Sequence, residues 1–121
     1  MTSVPLTDVE IASALNDLPG WERDGDALTR TVTFDAYLAG AAFASAVGVL
    51  AEGLGHHPDL YIGYKKVTVR FNTHDAGGKI TAKDVAAARA VNALRVSQAN
   101  SELTSTRIPR TIGPRLSDLL C

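Results

Sequence analysis

The sequence predicts an α+β fold in which helices pack on one face of an antiparallel four-stranded sheet. Two observations predict this class. Two pairs of short segments alternate apolar with polar residues, and a turn joins each pair, which is typical of β-hairpins. Segments with the caps and apolar spacing of helices stand before, between and after these hairpins. The predicted order of elements is therefore αββαββα.

The first helix and the first hairpin follow from local signals. Thr7 and Glu10 form a capping box, and the helix that they start is expected to run to about Leu18, where a proline and a glycine end it. Residues 21–23 and 28–34 flank an Asp-Gly-Asp turn, and the second of these segments alternates apolar residues with threonines. These two segments are predicted to be paired strands.

The second helix is predicted to begin at Asp35 as its N-cap and to run to about Glu52, with Gly53 or Gly55 as a left-handed terminator. The helix is nearly apolar all round, and the residues that make it so are Ala39, Gly40, Ala42, Phe43, Ala46, Val47 and Leu50. One sheet covers only one face of such a helix, so its other side is expected to pack on another copy of the chain. A homodimer or a homotetramer is therefore predicted.

The last two strands and the third helix complete the fold. Residues 60–64 and 67–74 are predicted to form the second hairpin, with Val67, Val69 and Phe71 on one face. The opposite face is expected to carry Thr68, Arg70, Asn72 and His74. Thr81 and Asp84 then begin the third helix, whose residues spaced for burial are Val85, Ala88 and Val91.

Length and composition indicate one compact domain. The chain has 121 residues, of which 45% are hydrophobic and 21% are charged, as in ordinary globular proteins. The domain is predicted to span residues 1–96. Residues 97–121 lose the periodic apolar pattern and are interpreted as a C-terminal tail whose role the sequence leaves open.

Charge and cysteine content exclude several classes of partner. Twelve Lys and Arg against thirteen Asp and Glu give a net charge of −1, so no direct nucleic-acid partner is expected. The one cysteine, Cys121, cannot form an intrachain disulfide, which favours a cytoplasmic protein. The N-terminus lacks the pattern of a secretory signal. Residues 36–51 carry no charge but fall short of the roughly 20 residues that span a bilayer, so no membrane segment is predicted.

The three histidines are the main candidates for function. His56, His57 and His74 all lie around the second hairpin. Since imidazole exchanges protons near neutral pH, a loop histidine facing a strand-end histidine offers a general acid and a general base. A structural interpretation stands beside this one, in which His56 caps the preceding helix and His74 satisfies a turn.

Zinc is the alternative chemistry, because three imidazoles can hold the ion. Neighbouring His56 and His57 usually point in different directions, and their spacing to His74 is not that of a metal motif, so neither a metal nor a cofactor is expected. Asp84 and Glu52 can orient imidazoles or hold a polar heterocycle, but each also has an explanation at a helix terminus.

Aromatic residues are less specific candidates. Trp21 and Tyr64 can supply an aromatic wall to a site, although an aromatic side chain near a strand more often belongs to the core.

Taken together, these residues resemble a family signature. The order and spacing of Glu52, the His56-His57-Pro58 segment, Tyr64, His74 and Asp84 resemble those of the pterin-4a-carbinolamine dehydratases. The resemblance includes the Leu-Pro-Gly-Trp segment at residues 18–21 and the segment at residues 73–78, and it extends over residues 6–94.

The resemblance implies an activity and a set of residues. The substrate would be a 4a-hydroxytetrahydropterin, and the products a quinonoid dihydropterin and water, in tetrahydrobiopterin recycling. Substrate-binding residues would be Gly55, His56, His57, Pro58, Asn72, Thr73, His74, Asp75 and Asp84, with Glu52, Tyr64 and Trp21 in support. His56 and His74 would transfer protons and His57 would bind substrate.

The resemblance also leaves some points open. Gly55 departs from family members that have an acidic residue at this position. The family also includes members with non-enzymatic binding or assembly roles, which is the alternative function for this chain.

Overall fold

The computed structural model describes residues 4–94 and has the predicted order of elements. The three helices are α1 (Asp8–Leu15), α2 (Tyr37–Leu54) and α3 (Ala82–Asn92). The four strands are β1 (Trp21–Asp24), β2 (Ala27–Thr33), β3 (Asp59–Ile62) and β4 (Lys66–Phe71), and a single 3₁₀ turn (His74–Ala76) follows β4. The predicted tail, residues 97–121, lies outside the described residues.

The four strands form one antiparallel sheet in the order β1-β2-β4-β3. The two hairpins meet along β2 and β4, where Leu28 lies opposite Phe71. Within the second hairpin, Asp59 at the start of β3 lies opposite Arg70 near the end of β4. The chain that enters β3 and the chain that leaves β4 therefore lie side by side at one end of the sheet.

The core lies between the inner face of the sheet and the helices, as predicted. Val67, Val69 and Phe71 alternate along β4 and are fully buried. They share one hydrophobic cluster with Phe43 and Val47 of α2 and with two α3 residues, Ala88 and Val91. On the outer face, the exposed Thr31 is hydrogen-bonded to Thr68 across β2 and β4 at 2.8 Å. The antiparallel α+β fold with helices on one face is confirmed.

Helix α2 begins later than predicted. Asp35 is not its N-cap, because the chain stays extended for one residue longer and Ala36 occupies the cap position with no side-chain hydrogen bond. The helix ends at Leu54, and its C-cap is Gly55, whose φ of 69° places it in the left-handed region where glycine is favoured. Gly53, the alternative terminator, lies inside the helix.

The other boundaries differ by a few residues. Helix α1 ends at Leu15 rather than about Leu18. Strand β3 starts and ends earlier than residues 60–64. Strand β4 ends at Phe71 because the chain turns through Gly77 and Gly78, both at positive φ, and the Gly78 amide donates to the Thr73 carbonyl at 2.9 Å. His74 consequently lies on the 3₁₀ turn and not on the outer face of the strand.

The length and apolar composition of α2 would suffice to cross a membrane, and it is the one helix of residues 4–94 for which this holds. Its inward residues, including Phe43, Val47 and Ala51, belong to the buried core. Core helices of soluble domains share these properties, so this feature alone is weak evidence for a membrane protein.

Candidate active site

A cavity of about 340 Å³ opens at the end of the sheet where β3 begins and β4 ends. Its lining comes from the α2–β3 connection, the segment after β4 and the first turn of α3. The lining residues are Gly55, His56, His57, Asn72, Thr73, His74, Asp75 and Lys83. All three histidines of the chain thus meet at one cavity, which is the size of a site for a small organic ligand.

The left-handed turn at Gly55 directs His56 inward. The backbone amides of Gly55 and His56 both donate to the Ala51 carbonyl, which closes the end of α2. The His56 side chain is only 13% exposed, and its ring stacks on Phe71 with centroids 5.7 Å apart and planes 8° apart. The imidazole is therefore held by packing and is not a cap on the preceding helix.

Asp84 lies behind His56, away from the cavity. Its Oδ1 is 2.6 Å from His56 Nε2, and its side chain has no solvent exposure. Its Oδ2 accepts hydrogen bonds from the Thr81 amide and the Thr73 hydroxyl, each at 2.8 Å. The resemblance implied that Asp84 binds substrate; its side chain is fully buried and is not among the residues that line the cavity, and the binding role stays a prediction. It caps α3 and orients His56 at the same time.

His57 has a different environment from that of its neighbour. Its Nε2 is 2.7 Å from Glu52 Oε1, and both side chains are largely exposed. Glu52 does not line the cavity and reaches it only through His57. Pro58 is half-buried and leads into β3 without lining the cavity. The two adjacent histidines thus bond to separate carboxylates.

The segment after β4 supplies further residues that line the cavity. Asn72, His74 and Asp75 contribute polar groups there, and the buried Thr73 side chain points into the Asp84 network. Lys83 Nζ lies 3.8 Å from Asp75 Oδ2. Lys83 was not among the site residues predicted from the sequence. The available signal was a lysine in the first turn of a helix, where the helix dipole disfavours positive charge.

Neither predicted aromatic side chain forms a wall of the cavity. Trp21 is buried in the core, and its Nε1 donates to Asn92 Oδ1 at 2.9 Å. Tyr64 is 73% exposed on the β3–β4 turn, at the opposite end of the sheet, where it stacks on Tyr37. The aromatic ring beside the site is instead the buried Phe71.

Half-buried Arg30 also bonds to Asn92, and burial lowers the pKa of its guanidinium.

The site offers imidazole, carboxylate, amide and ammonium groups around one small cavity. Within residues 4–94, no group of three or more His, Cys, Asp and Glu side chains is arranged to hold a metal ion. The expectation of a metal-free site stays a prediction.

Comparisons with known proteins agree with the fold and identify the family. Residues 4–94 match the family model for pterin 4 alpha carbinolamine dehydratase. Two similar proteins carry provisional names as pterin-4-alpha-carbinolamine dehydratases. The one from Natronomonas pharaonis is 54% identical over 80 residues, or 66% of this chain and 84% of the relative. The one from Nocardia farcinica is 44% identical over 94 residues, or 78% and 98% of the two chains.

Two solved structures of pterin dehydratase or pterin dehydratase-like proteins are also similar to this chain. The crystal structure of a transcriptional coactivator/pterin dehydratase from Brucella melitensis is 33% identical with a TM-score of 0.68, covering 74% of this chain and 96% of that one. A pterin dehydratase-like protein identified as a RuBisCO assembly factor in the alpha-carboxysome is 26% identical with a TM-score of 0.51, covering 61% and 87%. By its match over residues 4–94, the chain belongs to the pterin 4 alpha carbinolamine dehydratase family.

Proposed function

We propose that this chain is a dehydratase that converts a 4a-hydroxytetrahydropterin to a quinonoid dihydropterin and water, as in tetrahydrobiopterin recycling. The observation that carries the proposal is the convergence of His56, His57 and His74 on one cavity. Family membership supports the pterin as substrate.

The reaction breaks the bond between C4a and the hydroxyl oxygen and forms a double bond to the adjacent ring nitrogen. That nitrogen loses a proton to a general base, and the leaving hydroxyl receives a proton from a general acid, so that water departs. His56 and His74 take these two roles because both line the cavity, one from the α2–β3 connection and the other from the segment after β4. His57 is exposed and bonded to Glu52, and its role is binding.

The cavity also carries polar groups that suit the pterin ring. The amide and amino edge of a pterin presents donors and acceptors, which Asn72, Asp75 and Lys83 can match around the opening. These groups are assigned to binding because imidazole is the side chain that exchanges protons near neutral pH. The cytoplasmic location and the absence of a metal remain part of the proposal.

Alanine variants test the assignment of roles. His56→Ala and His74→Ala should each lower turnover of a synthetic carbinolamine by about 10²- to 10⁴-fold, down to the rate of spontaneous dehydration. His57→Ala should mainly raise the Michaelis constant. Stopped-flow disappearance of the carbinolamine measures both constants, with folding checked by circular dichroism. Folded His56→Ala and His74→Ala variants that keep wild-type turnover would contradict the assignment.

A non-enzymatic assembly role is the second candidate, favoured by the likeness to a RuBisCO assembly factor. If adding the wild-type protein did not raise the dehydration rate of the carbinolamine above the spontaneous rate, the assembly role would be favoured over the dehydratase.

A further inference from the structure

The buried carboxylate of Asp84 has two distinct oxygens. Oδ2 accepts the Thr81 amide and the Thr73 hydroxyl, and Oδ1 faces His56 Nε2. A backbone amide can only donate, so Oδ2 is an acceptor in this arrangement. The two bonds to Oδ2 therefore hold the carboxylate in the orientation that turns Oδ1 toward His56.

The hydroxyls of Thr73 and Thr81 form a chain with one direction. Thr73 has a single hydroxyl proton, and it donates that proton to Asp84. The bond of 2.7 Å between the two hydroxyls must then run from Thr81 to Thr73. Thr81 Oγ1 in turn accepts from the Lys83 amide at 3.2 Å. Every donor in this buried chain points toward the Asp84 carboxylate.

The direction of the chain sets the proton on His56. With both other donors bonded to Oδ2, Oδ1 of the Asp84 carboxylate is left to accept from the imidazole, which places the ring proton on Nε2. Nδ1 makes no hydrogen bond with any group in residues 4–94, and His56 lines the cavity. The free lone pair of the ring is thus on Nδ1.

We propose that Thr73 is a positioning residue, which holds His56 through Asp84 in the tautomer with the proton on Nε2. This inference deepens the proposed dehydratase function and rests on it. His56 Nδ1 then acts as the base that takes the proton from the ring nitrogen. The acid role falls to His74. The resemblance implied that Thr73 contacts substrate, and Thr73 does line the cavity, while its buried hydroxyl bonds to the carboxylate.

Nitrogen-15 spectra of the histidine rings test this directly. With three histidines in the chain, three single His→Asn variants assign the ring signals, and a titration in the same spectra finds the pH at which His56 is neutral. Wild type should show His56 protonated at Nε2. Thr73→Val, which keeps the shape but removes the hydroxyl, should give a mixture of both tautomers and lower kcat about tenfold, with KM unchanged.

Two further variants serve as controls. Thr73→Ser keeps the hydroxyl and should restore both the tautomer and kcat. Thr31→Val removes one hydroxyl of the Thr31–Thr68 pair on the outer face of the sheet, and it should behave as wild type in both measurements.

Three results would overturn the proposal. One is a wild-type His56 protonated at Nδ1, which decides the matter even if Thr73→Val does not fold. Another is a folded Thr73→Val variant with the wild-type tautomer and kcat. The third is a changed tautomer with unchanged kcat. The spectra do not depend on turnover, so a wild type that has the predicted tautomer but no dehydratase activity would refute the proposed function alone.

Discussion

At the scale of single residues, the site pairs each of two adjacent histidines with a carboxylate in opposite environments. His56 bonds to Asp84, which has no solvent exposure, and His57 bonds to Glu52, whose side chain is 81% exposed. The histidines were identifiable from their clustering in the sequence, and the carboxylates only through the resemblance to the family signature. The pairing of each carboxylate with its histidine could not be predicted from the sequence, because the packing of α3 on the sheet is what brings Asp84 next to His56.

The buried pair is expected to be much more sensitive to substitution. In Asp84→Asn the amide oxygen must stay on the side that accepts from Thr73 and Thr81, so the NH₂ group faces His56. The ring must then accept at Nε2 and carry its proton on Nδ1, which blocks the proposed base. We expect kcat to fall at least about tenfold, since a comparable wrong-tautomer change in a serine protease costs far more.

The exposed pair supplies the matched control. Glu52→Gln alters the same kind of bond, with Nε2 to carboxylate distances of 2.7 Å for His57 and 2.6 Å for His56. Because exposed ion pairs contribute little, its effect should stay within about fivefold and appear in KM. Equal losses of kcat in Asp84→Asn and Glu52→Gln, measured side by side, would argue against the orienting role of Asp84.

At the scale of secondary-structure elements, local signals correctly predicted each helix and strand and their order. They predicted the residues at which these elements begin and end less accurately. The capping boxes at Thr7 and Thr81 both form. Asp35 failed as a cap because one extended residue intervenes, which no local preference specifies. His74 was predicted to lie on β4 but lies on the 3₁₀ turn, because the chain folds back at Gly77 and Gly78 and the Gly78 amide bonds to the Thr73 carbonyl. Both boundaries were therefore set by the local path of the backbone, which side-chain preferences do not fix to the residue.

Two glycines at the end of α2 give a prediction about this element. A Cβ at Gly55 would meet nothing within 4 Å, so the cost of Gly55→Ala comes from its left-handed backbone alone and should be about 1 kcal/mol of unfolding free energy. A Cβ at Gly53 likewise meets nothing, but this residue is helical, and Gly53→Ala should stabilise by up to about 1 kcal/mol.

Urea unfolding of both variants measures this difference, because the two substitutions change the same atoms. Opposite signs are expected. If Gly55→Ala proved as stabilising as Gly53→Ala, the left-handed end of α2, and with it the direction given to His56, would be wrong.

At the scale of the whole molecule, α2 leaves an apolar stripe uncovered. Leu38, Ala42 and Val49 follow helical spacing, with the small polar Ser45 among them, and all four are exposed, Leu38 at 76% and Val49 at 73%. The opposite face of the helix is buried in the core. We propose, as the sequence predicted, that a second copy of the chain covers this stripe in a homodimer or homotetramer.

Charge on the stripe should disrupt the assembly. Ala42→Glu would bury a carboxylate between copies and should shift the protein toward the monomer, whereas Ala12→Glu, at an exposed position of α1, should leave assembly unchanged. Light scattering at micromolar concentration distinguishes these states. A monomeric wild type would refute the interface.

The central claim is that paired histidines, without a metal, dehydrate the carbinolamine. The most direct measurement compares the wild type with the His56→Ala/His74→Ala variant in stopped-flow dehydration of synthetic carbinolamine, before and after exhaustive chelation. The wild type should exceed the spontaneous rate and keep its activity after chelation, and the folded double variant should fall to the spontaneous rate. A folded double variant with wild-type turnover, or a wild type that loses activity on chelation and regains it with zinc, would contradict the claim.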